Sequence, residues 1–204
     1  MSKIRPPYSE PAAFSRRAGD GGPRLAPSGR NLHTGFPARP PDQVLAPLAV
    51  VLADTHIPRR AKSLPEGVLP YLEEGDLILH AGDLIEPSLL DELALYAPVR
   101  AVKGNVDPPN LDLPETPEFG FGGVRVAMIH DSGRKDGRRR RLARRFPGAR
   151  VIVFGHSHVP FLEDEDGLLL LNPGSPTDRR RQPEHTFALL RVERGKVRAK
   201  ILAL

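Results

Sequence analysis

Aspartate and histidine side chains recur directly after apolar, strand-like runs of this sequence. His156 and His158 follow "VIVFG" with one serine between them, and Asp54 and His56 follow "AVVLA" with one threonine between them. Carboxylate, amide and imidazole donors together favour Mn, Fe, Zn, Ni or Co over Mg or Ca, which prefer all-oxygen shells. The candidate ligands at such strand exits are Asp54, His56, Asp83, Asn105, Asp107, His130, His156 and His158.

These candidate ligands are too many for one tetrahedral ion. We expect each Asp-X-His or His-X-His pair to be extended, so that alternate side chains point to one side of the chain. The set suits two ions that share a carboxylate, at the ~3.5–4 Å separation of two-metal hydrolases. The sequence has no cysteine, which excludes thiolate ligands and a cysteine nucleophile.

The elements that must position these side chains alternate between strands and helices from residue 48 onward. "PLAVVLADTH", "DLILHAGD", "PVRAVKGNVD" and "ARVIVFGHSH" each predict a strand with a polar exit. "EPSLLDELALYA" and "RKDGRRRRLARRF" predict helices, and a shorter helix is expected to be broken by Pro70. Hairpins are predicted to turn at Gly122–Gly123, at "EDG" and at "ERG". The order favours a mixed α/β fold, whose ligands bind beyond the carboxyl ends of the strands.

Residues 1–47 differ in composition from the rest of the chain. They hold nine Pro and five Gly, with seven basic and three acidic residues. We predict a disordered N-terminal extension over 1–47 and one folded domain over 48–204. A functional tail, a start codon placed too early and a transit peptide remain alternatives for the extension. No apolar run approaches the ~18 residues of a membrane span, and the absence of cysteine and of a secretory signal favours a cytoplasmic location.

Five short blocks occur in a fixed order between residues 54 and 158: D-x-H, GD, GN-x-D, a lone histidine and GHxH. This order resembles the calcineurin-like metallophosphoesterase superfamily. The "NPGS" at 172–175 resembles the small phosphodiesterases of the YfcE type within it. The resemblance implies a four-layer αββα sandwich of two mixed β-sheets flanked by helices.

The resemblance also implies a ligand set for two divalent transition-metal ions, with Mn expected first and Ni, Zn, Fe or Co as alternatives. One ion would be bound by Asp54, His56, Asp83 and His158, and the other by Asp83, Asn105, His130 and His156. Asp83 would be the shared carboxylate. A hydroxide between the ions would attack phosphorus.

The expected activity is hydrolysis of small phosphodiesters, nucleotide-derived ones included. Many family members have a histidine that assists the leaving group where this chain has Val106, which disfavours substrates with poor leaving groups. A phosphomonoesterase or nuclease of the same fold is the first alternative. A non-catalytic interaction scaffold, as one relative in the retromer coat is thought to be, is the second. No membrane partner is expected.

Several polar residues in these segments have simpler interpretations. Taken singly, Asp54 and Asp83 each suggest a helix N-cap. His80 is expected to be a satisfied core histidine, and Asp107 to fix its loop or orient a ligand. Asn172 and Ser175 are expected to build a turn near the site.

Two arginine clusters raise the question of a nucleic-acid partner. We interpret Arg138–Arg145 as the exposed face of an amphipathic helix that turns Leu142, Ala143 and Phe146 inward. No aromatic residues are interleaved for base stacking, so nucleic acid is a disfavoured partner. Arg179–Arg181 could form a cationic lip for an anionic substrate.

Overall fold

The computed structural model describes residues 46–204, and the strands within this range form two sheets. The strands are β1 (Leu48–Leu52), β2 (Leu77–His80), β3 (Val99–Ala101), β4 (Glu118–Phe121), β5 (Val124–Met128), β6 (Val151–Val153), β7 (Phe161–Glu165), β8 (Leu168–Asn172), β9 (Thr186–Glu193) and β10 (Lys196–Ala203). The helices are α1 (Leu69–Glu74), α2 (Ser88–Ala94) and α3 (Arg138–Arg145), with a 3₁₀ turn at Glu66–Val68 before α1.

Each sheet has five strands and a mixed arrangement. The first sheet has the order β10-β9-β1-β2-β3, in which β1, β2 and β3 are parallel and β9 is antiparallel to both of its neighbours. The second has the order β4-β5-β6-β8-β7, with β5, β6 and β8 parallel and an antiparallel strand at each edge. The parallel strands β1, β2, β3, β5 and β6 end on the loops that carry the candidate ligands.

The apolar run of β1 divides between two cores because successive side chains of a strand point to opposite faces. Ala49 and Val51 pack in the core between the sheets, with Met128 and Val153 of the second sheet. Leu48, Val50 and Leu52 pack in the core under the helices of the first sheet. A strand covered on both faces must be apolar throughout, as the sequence is here.

Helices cover the outer face of each sheet. Leu72 of α1 and Leu89 and Leu93 of α2 lie in the outer core of the first sheet. Leu142 of α3 and Phe146 lie in the outer core of the second. The four-layer αββα arrangement is thereby confirmed. Pro70 was predicted to break a helix, but it does not. It lies in the first turn of α1, where a missing N–H is tolerated.

The basic helix α3 is amphipathic, but its inward face differs from the prediction. Leu142 and Phe146 are buried as expected, whereas Ala143 is exposed. The residue that extends the Leu142–Phe146 row by one more turn is Arg138, because residues four apart share a helix face. Its guanidinium lies 4.9 Å from the ring centre of Phe154, so this part of the arginine run packs on the sheet.

The predicted extension falls, apart from residues 46 and 47, outside the described residues. Within residues 46–204, no helix has the length and apolar character needed to cross a membrane.

Candidate metal centre

The candidate ligands lie on five loops that follow parallel strands of the two sheets. Loops after parallel strands meet at the carboxyl edge of a sheet, so side chains distant in sequence converge there. The loops place Asp54 and His56 after β1, Asp83 after β2, Asn105 after β3, His130 after β5, and His156 and His158 after β6.

One group of donors is formed by Asp54, His56 and His158, whose ligand atoms all lie within 4.8 Å of one another. The Nε2 atoms of the two histidines face each other at 3.2 Å, and their rings stack with centres 5.1 Å apart. His158 Nε2 lies 3.7 Å from Asp54 Oδ1. All three residues are buried.

A second group is formed around Asp83 and His130, which also lie within 4.8 Å of Asp54. His130 Nε2 lies 3.4 Å from Asp83 Oδ1 and 2.9 Å from Asn105 Oδ1. His156 joins this group through its Nδ1, which lies 2.8 Å from the same oxygen of Asn105. The structure therefore brings all seven predicted ligands to one place.

Asp83 stands between the two groups. Its Oδ1 faces His130, while its Oδ2 lies 3.6 Å from His56 Nε2. One carboxylate with an oxygen toward each group has the arrangement that a shared ligand of two ions requires.

Backbone carbonyls fix which nitrogen of His130 and His158 faces the centre. His130 Nδ1 donates a hydrogen bond to Ala81 O at 2.7 Å, and His158 Nδ1 donates to the carbonyl oxygen of Asp178. A carbonyl only accepts, so each Nδ1 carries a hydrogen and the neutral ring keeps its lone pair on Nε2. Nε2 is therefore the nitrogen of each ring that faces the carboxylates and that a metal ion would bind.

The electrostatics of the first group suit a cation. Burial raises the pKa of the Asp54 carboxyl to about 7, and Asp54 Oδ2 is buried without a hydrogen-bond partner among the described residues. Burial also lowers the pKa of His56 and of His158, which keeps both imidazoles neutral. A buried carboxylate oxygen without a donor beside two neutral imidazoles fits a divalent metal ion with nitrogen and oxygen ligands.

A family model described as the calcineurin-like phosphoesterase superfamily domain matches residues 48–195. This chain belongs to the calcineurin-like phosphoesterase superfamily. The resemblance seen in the five sequence blocks is thereby confirmed. Together with the donor groups, membership makes the protein a metal-dependent phosphoesterase.

Two archaeal members of the superfamily are similar over most of the chain. A probable metallophosphoesterase of Methanothermobacter thermautotrophicus is 39% identical over 155 residues, which cover 74% of this chain and 90% of that protein. One of Methanocaldococcus jannaschii is 38% identical over 157 residues, covering 76% and 80%. The structure of vacuolar protein sorting 29 from Cryptosporidium parvum shares the fold, with a TM-score of 0.65 and 21% identity over 78% of this chain and 98% of that one.

In this calcineurin-like phosphoesterase, Asp83 and His130 form a coupled pair. Burial alone would raise the pKa of the Asp83 carboxyl, but the hydrogen bond and charge of His130 outweigh it and lower that pKa. Burial alone would lower the pKa of His130, but Asp83 outweighs it and raises that pKa. Asp83 is therefore ionised and ready to serve as a ligand.

The backbone of the candidate ligands contradicts the expectation of extended Asp-X-His and His-X-His pairs. Asp54, His56, His156 and His158 all have positive φ angles, between 47° and 67°, and Asp83 has a φ of 60°. Residues other than glycine rarely adopt this left-handed backbone conformation, and those that do cluster at functional sites. The side chains converge because the loops coil, which spacing alone does not reveal.

Neither aspartate caps a helix, so the N-cap interpretation was wrong. Asp54 Oδ1 accepts a hydrogen bond from His156 N at 3.0 Å, which joins loops of different sheets. Asp83 Oδ1 accepts one from Val106 N at 3.1 Å. The helix after Asp83, α2, begins after Pro87 without a side-chain cap.

Asp107 fixes its loop, as predicted. Its Oδ2 accepts hydrogen bonds from the backbone N–H groups of Asp83 and Gly104 at 3.0 and 2.7 Å, and its Oδ1 accepts from Ile85 at 2.8 Å. A single carboxylate thereby sets the path of the loop that carries Asp83.

The remaining polar residues near the centre behave largely as expected. Asn172 donates to Gly155 O, and Ser175 donates through its Oγ to Asp54 O at 2.7 Å, so both build turns around the ligands. His80 is fully buried, and within residues 46–204 only its Nε2 has a partner, Thr55 Oγ1 at 3.1 Å. The prediction of a satisfied core histidine therefore holds for one nitrogen.

Sequence analysis did not single out Arg60 and Asp178. Arg60 lies four residues after His56 and forms an ion pair with Asp178, at 3.4 Å between Nε and Oδ2. The available signals were the "PRR" that begins two residues after His56 and the acid three residues after Ser175. Neither signal identifies the other as its partner, because the two are far apart in sequence.

Proposed function

We propose that this protein hydrolyses small phosphodiesters, nucleotide-derived ones included, with two divalent transition-metal ions of which Mn²⁺ is the first choice. The observation that carries the proposal is the pair of donor groups on either side of Asp83, with the Nε2 atoms of His56 and His130 turned toward its two oxygens. When bound, the ions supply the Lewis acidity for hydrolysis of a phosphoester.

The residues of this chain divide the task of holding those ions. Asp54, His56 and His158 would hold one ion, and Asn105, His130 and His156 the other, with Asp83 shared. The carbonyls of Ala81 and Asp178 hold the rings of His130 and His158 in the ligand tautomer. No part of this scheme requires a nucleophilic side chain.

Val106 supports a preference for diesters with good leaving groups. Its backbone N–H donates to Asp83 Oδ1, which places the residue beside the centre, and its side chain is 37% exposed. Valine cannot protonate a departing oxygen, and positioned proton transfer is typically worth ~10²–10⁴-fold in rate. An aryl diester leaves as a stabilised phenolate and needs this help least.

The test compares kcat/KM for bis-(p-nitrophenyl) phosphate and p-nitrophenyl phosphate, each with Mn²⁺. We expect the diester to be the better substrate by at least about tenfold, because leaving-group help is the missing function. A monoester that is better by the same factor would replace the phosphodiesterase with a phosphomonoesterase. Metal-loaded protein that turns over neither ester would favour the scaffold.

The role of Val106 is tested by a substitution that restores the missing group. Val106→His should raise kcat/KM for a diester with an alkyl leaving group more than for the aryl diester, and Val106→Leu controls for side-chain size. Equal effects of the two variants would show that proton donation at this position does not limit the reaction.

A further inference from the structure

Two arginines converge on one carboxylate at the outer edge of the His158 ring. Arg60 Nε lies 3.4 Å from Asp178 Oδ2, and Arg180 Nε lies 3.9 Å from the same oxygen. That oxygen is also 3.9 Å from His158 Nδ1, the ring nitrogen that faces away from the metal centre. The width of one imidazole therefore separates the arginine pair from the metal-facing Nε2.

The loops that carry the pair are tied to the loops of the metal centre. The backbone N–H of Arg60 donates to His56 O at 2.9 Å. Asp178 N donates to Ser175 Oγ at 2.8 Å, and that hydroxyl donates to Asp54 O at 2.7 Å. Arg180 has a φ of 49°, a strained conformation that persists only where the surroundings impose it. The position of the pair is thus set by the same contacts that position Asp54 and His56.

The pair carries more positive charge than its partner neutralises. One carboxylate faces two guanidinium groups, and among the described residues neither arginine has another carboxylate within ion-pair distance. The side chains of Arg60 and Arg180 are 66% and 55% exposed, whereas Asp178 is 15% exposed. Each guanidinium offers five N–H donors, so most of these donors are free to bind an anion from solvent.

Arg180 is the residue of the Arg179–Arg181 run that approaches the centre, because its Nε lies 3.9 Å from the Asp178 oxygen beside His158. Among the described residues, Arg179 and Arg181 have no such ion pair: Arg179 Nη1 donates to Gln182 O, and Arg181 is exposed. The cationic lip expected over Arg179–Arg181 is therefore formed by Arg180 together with Arg60.

We propose that Arg60 and Arg180 form a subsite for a second phosphate group of the substrate. The preferred substrates would then carry a phosphate monoester in addition to the diester that is cleaved. This inference rests on the proposed phosphodiesterase function. A second group is favoured over the reacting phosphate because the His158 ring lies between the arginines and the metal-facing atoms, and arginine forks bind phosphate oxygens in pairs.

Two matched diesters test the subsite. Thymidine 5′-(p-nitrophenyl phosphate) and its 3′-phosphorylated form release the same p-nitrophenolate and differ by one phosphate. With Mn²⁺, the wild-type protein should show a kcat/KM at least about tenfold higher for the 3′-phosphorylated diester, since a charge-assisted hydrogen bond is worth about that factor.

Variants assign the preference to the two arginines. Arg60→Gln and Arg180→Gln should each lose most of the preference through a higher KM, with kcat nearly unchanged, because the contact exists in both ground and transition states. In both variants, kcat/KM for the diester without the 3′-phosphate should stay within about threefold of the wild-type value, since an exposed charge acts weakly at a distance. Arg59→Gln and Arg181→Gln remove the same charge one residue away and should keep the preference.

The subsite would be overturned if the wild type cleaved both diesters with equal kcat/KM. It would also be overturned if Arg60→Gln and Arg180→Gln lowered kcat/KM equally for the two diesters, or if Arg59→Gln and Arg181→Gln lost the preference to the same extent. If the wild type cleaves neither diester, the proposed function fails, and binding then decides the subsite. Calorimetry with Mn²⁺ should show thymidine 3′,5′-bisphosphate binding more tightly than thymidine 5′-monophosphate, and Arg60→Gln and Arg180→Gln should abolish the difference. Equal affinities in the wild type would exclude the subsite.

Discussion

At the scale of single residues, the centre combines buried carboxylates with strained backbone. Asp54 is fully buried and Asp83 nearly so, and both have positive φ angles. A non-glycine residue in a sparsely populated region costs of order 1–3 kcal/mol. Burying two carboxylates side by side adds to this cost, since like charges raise the pKa of each other. Divalent ions would offset both costs, so metal removal should destabilise the fold.

We expect Asp83→Ala to lose both metal ions and essentially all activity, because Asp83 presents an oxygen to each donor group. Elemental analysis after dialysis measures the metal content of each variant. Asp131→Ala is the control, since Asp131 is exposed and accepts a hydrogen bond from Gly133 N in its own loop. An Asp83→Ala protein that retains two ions and full activity would contradict the shared-ligand scheme.

Asp107→Ala should weaken metal binding about 10–100-fold although Asp107 is not a proposed ligand, as is typical of groups that orient ligands. Three backbone N–H groups lose their acceptor, and each buried unsatisfied donor costs about 1–3 kcal/mol. Asp107→Asn keeps one carbonyl oxygen and should lose less. Titration with Mn²⁺ measures the metal affinity, and urea unfolding measures the stability. Equal losses of metal affinity in Asp107→Ala and Asp107→Asn would argue against the acceptor role.

At the scale of elements, the site depends on how closely neighbouring loops approach. The loop after β3 passes against the loop after β2, where Gly104 contacts Asp83. The loop after β6 reaches across to β1 through the His156–Asp54 hydrogen bond. Because the loops touch at these points, a change in one loop displaces ligands carried by another.

Gly104→Ala should therefore displace Asp83 and remove metal binding. An added Cβ would overlap with Asp83 Oδ1 and with the nitrogen and Cα of the Asp83 backbone, and these backbone atoms cannot rotate away as a side chain can. Gly120→Ala in β4 is the matched control, because nothing lies within 4 Å of its added Cβ. Metal content and thermal unfolding of the two variants make the comparison. A fully loaded Gly104→Ala protein would show that the loops yield.

At the scale of the whole molecule, the centre exists only where the two sheets meet. The first sheet supplies Asp54, His56 and Asp83, and the second supplies His130 and His158. The core between the sheets holds these two halves together. The family match and all candidate ligands lie beyond residue 47.

We predict that a chain starting at Gln43 keeps the melting temperature and the turnover of the full chain. Such a chain retains Pro47, whose carbonyl accepts from Val192 N at 3.1 Å. Calorimetry and the diester assay with Mn²⁺ test this prediction. A large loss of either property would assign residues 1–42 a role in the fold or at the site.

The free energy of unfolding should decrease as the pH falls, and His80 should account for part of this decrease. Burial lowers the pKa of His80 to about 3 in the folded protein, against 6.5 ordinarily. The unfolded chain takes up a proton below pH ~6.5 while the folded protein does not, so stability is lost as the pH falls from ~6.5 toward ~3. In metal-free protein, the change in unfolding free energy between pH 7 and 5 should be roughly 2 kcal/mol smaller for His80→Leu than for wild type. Equal changes would show that His80 titrates normally.

The sequence alone determined the fold family, the identity of the candidate ligands and most of the elements. Apolar runs with polar exits mark parallel strands in any context, and the "GG", "EDG" and "ERG" turns are local chemistry, so the three predicted hairpins form where expected. The role of Asp107 in its own loop was predicted from the sequence, and the hydrogen bond from Gly104 N is local, whereas those from Asp83 N and Ile85 N depend on the tertiary structure.

Only the tertiary structure decided how the ligands face one another and what surrounds them. The coiled backbone of the ligand loops, the exposure of Ala143 and the Arg60–Asp178–Arg180 cluster arise from contacts between segments far apart in the chain. Local propensity carries no information about such contacts. They depend on how two sheets pack and on which loops that packing presses together.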